Sequence, residues 1–174
     1  TPGGELQVLE DNLRTPSGLA YAIVAREAVL PWAGGAGHDP VPFAAAAIEA
    51  VGRVLARAHD GPAVLLTDGA RNTAIWEHRV LAGQLGVPLV TLAEPGGALR
   101  AGVVYRRTDE DRLHDREGRP TVLGRALLDG LRSGRLACVN AFGNGVGDDK
   151  LVHAYVEDMV RYYLAEEPLV SSVP

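Results

Sequence analysis

The sequence predicts an α/β fold: an open, mostly parallel sheet flanked by helices on both faces. Three observations carry this. Short unbroken apolar runs, of which Ala63-Val64-Leu65-Leu66-Thr67 is the clearest, are those of strands buried on both faces. The runs alternate with segments of helical periodicity, as in βαβ units. Glycine and proline mark the joins, with Gly86 standing where a helix C-cap glycine belongs. The chain has 174 residues, 47% of them hydrophobic, enough for a core without disulfide or metal staples.

Along the chain, Leu6 to Asn12 alternates weakly and reads as a strand ending in polar residues. Arg14-Thr15-Pro16-Ser17-Gly18 is a turn, with Ser17 as cap for a helix over 18–29. Residues 31–42 form a loop rich in Gly and Pro, the best candidate boundary. A helix follows over 43–58, with Phe43, Ala47, Val51 and Leu55 recurring every fourth residue. Strand 63–67, the polar turn 68–72, a helix over 73–85 and strand 87–91 make one βαβ unit. A third strand spans 103–107 and closes on Arg106 and Arg107. After a charged loop over 109–120 come a helix over 121–132 and a buried strand over 136–140. A glycine-rich loop, Gly143 to Gly147, then opens a helix over 149–164 whose buried face is marked by Val152, Val156, Met159 and Tyr163. The domain boundaries implied are 1–30, a strand and helix; 31–60, a linker and helix; and 61–168, an α/β domain.

Composition narrows the function classes. A net charge of −5 draws neither nucleic acid nor a membrane surface. No apolar run approaches the roughly 20 residues of a membrane span. One cysteine, Cys138, excludes an intrachain disulfide and points to a reducing, cytoplasmic compartment; mid-strand, it reads as inert core. The five histidines show no metal spacing and read mostly as surface or helix-face residues. The chain opens on Thr-Pro-Gly-Gly and reads like a piece of something longer.

In parallel sheets ligands sit beyond the carboxyl ends of the strands, and polar residues cluster there: Glu10 and Asn12, 68–72, Arg106 and Arg107, and 140–150. Glu10 and Asn12, two apart on a strand, face one way while Asp11 points oppositely. Two oxygen donors so placed can meet one hard cation such as Mg²⁺, which takes one or two carboxylates plus phosphate oxygens and waters. The same pair also reads as a plain polar strand end. Thr15-Pro16-Ser17-Gly18 offers hydroxyls and free amides to an anion, or an ordinary N-cap. Lys150 is the single lysine beside sixteen arginines, in the first turn of a helix behind a glycine loop. A compact ammonium donating to a nucleobase or phosphate is one reason to keep it; pairing with Asp148 or Asp149 is the other. Arg106 and Arg107 face opposite ways, so one fork is free for a carboxylate while its neighbour pairs with Asp109, Glu110 or Asp111 in solvent. The glycine loop is not G-x-G-x-x-G, which leaves a dinucleotide-binding domain as a weaker alternative.

Three segments, in order, carry a family resemblance. Val8-Leu9-Glu10-Asp11-Asn12-Leu13-Arg14-Thr15-Pro16-Ser17-Gly18 is similar to a signature of the circularly permuted ATP-grasp proteins. Val104-Tyr105-Arg106-Arg107-Thr108-Asp109 resembles their later motif. So does Asn140-Ala141-Phe142-Gly143-Asn144-Gly145-Val146-Gly147-Asp148-Asp149-Lys150, with residues 155–168. This is the group of glutathionylspermidine synthetase and eukaryotic-type glutathione synthetase. The resemblance implies a pre-ATP-grasp, Rossmann-like substrate domain joined to a metal-binding strand of the catalytic core. It implies a carboxylate–amine ligase that uses ATP and Mg²⁺ and proceeds through an acyl phosphate, acting on small-molecule carboxylate and amine substrates. Glu10 and Asn12 would be the Mg²⁺ ligands and Lys150 the nucleotide contact. Ser17, Arg107 and Asn72 would bind substrate, with Arg107 on its carboxylate. Family members also carry an upstream strand with Asp and Arg and a downstream ATP lid, which these 174 residues lack. The expectation is therefore a chain inactive alone, with the remainder of the ATP-grasp domain as partner. The alternative from another class is a non-catalytic ligand- or partner-binding module.

Overall fold

The computed structural model describes residues 3–32 and 43–173, so most of the 31–42 loop, His38 and the Phe43 side chain lie outside the described residues. In chain order the elements are β1 (Gln7–Val8), α1 (Leu19–Val29), α2 (Phe43–Ala58), β2 (Ala63–Thr67), α3 (Ile75–Leu85), β3 (Leu89–Thr91), α4 (Gly96–Arg100) and β4 (Val103–Arg106). They continue with α5 (Val122–Arg132), β5 (Ala137–Val139), α6 (Lys150–His153), α7 (Val156–Met159) and β6 (Ser171–Ser172). They form two compact units, residues 17–139 and residues 1–16 with 140–174.

The 17–139 unit is the expected α/β layer. Its four strands are all parallel, in the order β3-β2-β4-β5, with Leu65 beside Leu89 and Tyr105, and Val104 beside Cys138. β4 is buried along its whole length, which is why its sequence shows no alternation. Successive side chains divide between the two faces. Leu65, Val103 and Tyr105 pack with Ala20 of α1, Leu55 of α2 and Leu81 and Ala82 of α3. α4 and α5 pack together and against the sheet. At about 25 cal/mol per Å² of apolar area, this burial is what holds the unit together. At the sheet's amino end, the backbones of Gly61 and Gly102 touch so closely that a Cβ on Gly61 would lie 2.6 Å from the Gly102 Cα.

The loop over 109–120 is less open than its charge suggests. Residues Glu110–Leu113 coil into a 3-10 turn whose Leu113 is 1% exposed, and the Leu113 carbonyl accepts from both the amide and the hydroxyl of Thr121, the α5 cap. Apolar anchoring by one leucine was masked in the sequence by nine polar neighbours.

The other unit departs further from expectation. The strand read over residues 6–12 is confined to β1, paired in parallel with β6, and Leu6 and Leu9 are 81% and 74% exposed. Among the described residues β1 has no second neighbouring strand to extend it. The helix over 149–164 is broken. Tyr155 leaves helical geometry at φ −108, ψ 1, and Val160–Leu164 closes the segment as a π-helical turn. Both interruptions destroy the 3.6-residue phase, so Met159 and Tyr163, expected on the buried face, are exposed.

Candidate functional site

In the unit formed by residues 1–16 and 140–174, cross-links bring Glu10 and Lys150 together across 140 positions. The Asp148 carboxylate accepts from the backbone amides of Leu13 and Arg14, and Asn144 Nδ2 donates to the Leu13 carbonyl at 3.3 Å. Asp149 caps α6, accepting from the amides of Leu151 and Val152. Both acids are thus committed to backbone, and the Lys150 ammonium donates to neither. It reaches Glu10 Oε2 at 2.8 Å, while Asn12 Nδ2 donates to Glu10 Oε1 at 3.1 Å. Glu10 and Asn12 meet although they lie beyond β1, so the hydrogen bond between their side chains and not strand pairing aligns them. Asp11 does point elsewhere, to His153 Nδ1 at 3.0 Å.

The hydrogen bond from Lys150, then the one from Asn12, hold the Glu10 carboxyl below its ordinary range; the same bond raises Lys150. Both side chains are open to water, at 48% and 82% exposure. An exposed ion pair is weak enough to be exchanged for a better partner. Among the described residues no group of three or more His, Cys, Asp and Glu is placed to hold a metal. Glu10 and Asn12 therefore offer one carboxylate and one side-chain amide oxygen. That donor set fits Mg²⁺, which keeps waters and takes phosphate oxygens, and does not fit an all-protein cage.

In the 17–139 unit, the expected substrate residues gather at the carboxyl ends of β2 and β4. Arg107 follows β4, its amide donating to the Leu66 carbonyl at 2.8 Å. Its guanidinium is buried, 3.6 Å from Glu77 Oε2 and stacked at 5.7 Å on the Tyr105 ring. Arg107 Nε, Arg107 Nη1 and Glu77 Oε2 are buried without hydrogen-bond partners among the described residues. Glu77 Oε1 accepts from the amides of Gly18, at 2.8 Å, and Ala20, at 3.0 Å, capping α1 from another element. Ser17, the expected cap, makes no side-chain cap bond; Gly18 takes that position at φ 117. The Gly18 amide at the start of α1 and Arg107 are thus linked through Glu77, a residue the sequence did not single out. In the sequence it stands in the polar run Glu77-His78-Arg79, which nothing local distinguishes from a solvated helix face.

Asn72 is tied to the same strand ends. It donates to Asp68 Oδ2 at 3.0 Å and accepts from the Ala74 amide, and Asp68 Oδ1 accepts from the Thr108 hydroxyl. Arg106 pairs with Glu110 at 3.2 Å as expected, but fully buried instead of in solvent, and donates to the Thr108 carbonyl. Its place in the β2–β4–β5 interior decides this. His78, read as a surface or helix-face residue, lies on α3 and is 2% exposed with Nδ1 2.7 Å from Thr67 Oγ1; burial first, then the Arg107 charge, lowers its pKa to about 4. Cys138 behaves as inert core, its thiol pushed up to about 11 by burial. The Gly143 to Gly147 segment coils as a 3-10 turn, and the helix start behind it is capped by Asp149. The Leu151 and Val152 amides at that helix start are taken by Asp149 and are not free for a pyrophosphate.

Comparison with known proteins agrees with the resemblance read from the motifs. A "Putative glutamate--cysteine ligase 2-3" from Frankia alni is 44% identical over 99% of this chain, which covers 22% of that protein. Uncharacterised proteins from Synechocystis and Mycobacterium tuberculosis are 38% and 37% identical over 98% of this chain. The chain spans 40% and 34% of their lengths, well under half of each relative. The model of the family "Circularly permuted ATP-grasp type 2" matches residues 1–174, and the chain belongs to that family.

Proposed function

We propose that the chain is the substrate-selecting part of an ATP-dependent carboxylate–amine ligase. The observation that carries this is the meeting of Glu10, Asn12 and Lys150 in a family whose name denotes ATP binding. Bound Mg²⁺–ATP supplies the phosphoryl group: it passes to a substrate carboxylate with loss of ADP, and an amine then displaces phosphate from the acyl phosphate. Glu10 and Asn12 would hold the metal through oxygen, and Lys150, now paired with Glu10, would offer its ammonium to the nucleotide. Exchanging one cation for another at Glu10 keeps that carboxylate neutralised throughout, so the apo ion pair preserves the site's geometry. In the α/β unit, Arg107, Ser17 and Asn72 serve the substrates, with Glu77 holding Arg107 and the turn before α1. For Arg107 to touch substrate, the buried Glu77–Arg107 pair must open, since its guanidinium has almost no solvent exposure.

Calorimetric titration with Mg²⁺ and a non-hydrolysable ATP analogue tests this. Glu10→Ala with Asn12→Ala should weaken nucleotide binding roughly 10-fold or more, as loss of metal ligation does. Equal binding by wild type and variant would refute the assignment.

A further inference from the structure

β2 and β4 are adjacent, but the chain leaves them in opposite directions, through α3 to β3 on one side and through α5 to β5 on the other. Such a divergence opens a crevice at the carboxyl ends of the strands, where parallel α/β sheets bind ligands. Here it is a cleft of about 320 Å³ lined by Asp68, Arg71, Leu92, Ala93 and Arg112. The volume is at the lower end of small-molecule sites.

Its lining specifies a ligand class. Arg71 comes from the turn after β2 and Arg112 from the 3-10 turn after β4, so two separate loops deliver cations to one cleft. Both are exposed, and among the described residues neither guanidinium has an ion-pair partner. The acid lining the cleft, Asp68, already accepts from Thr108 with one oxygen and from Asn72 with the other. Its charge leaves the cleft with a net positive charge, and its lone pairs do not answer the arginines. Guanidinium forks match carboxylates two bonds at a time, and Leu92 and Ala93 give a short aliphatic chain an apolar wall.

We propose that this cleft is a carboxylate-binding subsite that anchors the non-reacting end of a small aliphatic dicarboxylic acid. The dicarboxylate follows from the chemistry. A carboxylate gripped by two arginines has its lone pairs engaged and is a poor nucleophile toward phosphorus. The carboxylate that is activated must therefore be a second one on the same molecule. This part of the inference rests on the ligase reading; the subsite does not.

The test is calorimetric titration of the 174-residue chain, without nucleotide, with glutarate, L-glutamate, dimethyl glutarate and inorganic phosphate. Glutarate and glutamate should bind, the diester should not, and phosphate should bind more weakly. Arg71→Gln and Arg112→Gln should each weaken glutarate roughly 10-fold, the worth of a charge-assisted hydrogen bond. Arg132→Gln, at the exposed end of α5, should change nothing, and unchanged thermal unfolding of all three confirms intact folds. Absent glutarate binding, equal binding by both cleft variants, equal binding of the diester, or phosphate binding as tightly as glutarate would each overturn the proposal. The ligase reading fails separately, through the nucleotide titration at Glu10 and Asn12.

Discussion

Burial holds the His78 imidazole neutral at physiological pH, its pKa lowered to about 4 by desolvation and by the Arg107 charge. An unfolded histidine takes its proton near 6.5. Between these values the unfolded chain binds a proton that the folded chain refuses, so stability is complete above pH 6.5 and falls as pH drops toward 4. The loss is on the order of 2–3 kcal/mol. Urea unfolding of wild type and His78→Gln across pH 4–7 should show this slope in the first and its absence in the second; parallel curves would contradict it. Glu77 stands one position earlier, a buried carboxylate that accepts from two backbone amides and faces a guanidinium. Neither could be placed from sequence, because an isolated Glu-His pair on a helix reads as solvent-facing until the strand behind it supplies Arg107.

At the scale of elements, the joints matter more than the helices themselves. Gly124 lies in the first turn of α5, where glycine is ordinarily worse than alanine by roughly 0.5–1 kcal/mol. Here a Cβ would run into the Leu113 carbonyl oxygen and lie 3.2 Å from the Leu113 Cβ. That carbonyl is fixed by two bonds from Thr121, so it cannot yield. Gly124→Ala should therefore destabilise, by about 1–3 kcal/mol as overpacking does, against the sign of helix propensity. Equilibrium denaturation gives the sign directly. The strands and long helices of the 17–139 unit were legible to within a residue or two, since burial imposes their patterns. α4, β6 and the Glu110–Leu113 turn were not legible: each is five residues or fewer, too short for a period to develop.

The molecule as a whole presents Glu10 and Lys150, the residues proposed to meet metal and nucleotide, to water. Phosphoryl transfer gains its rate from positioning and from charge stabilisation in a site that excludes water. With Glu10 and Lys150 exposed at 48% and 82%, that exclusion is missing. The 174-residue chain should bind Mg²⁺–nucleotide yet release ADP at no more than the background rate with any carboxylate and amine. An assay of ADP formation checks this, and substrate-dependent turnover would contradict it.

The amino-acid order alone determined the parallel α/β layer, the family, and the segments that carry oxygen donors, the lone lysine and the arginines. It could do so because burial writes periodicity into strands and helices, and because motifs are contiguous. Tertiary structure alone decided which of those groups touch. Glu10 meets Lys150 where Asp148 and Asn144 bond the backbone of Leu13 and Arg14, the Gly18 amide joins Arg107 through Glu77, and Arg71 and Arg112 line one cleft. Contacts between residues tens of positions apart depend on the path of the chain, and no local pattern records it.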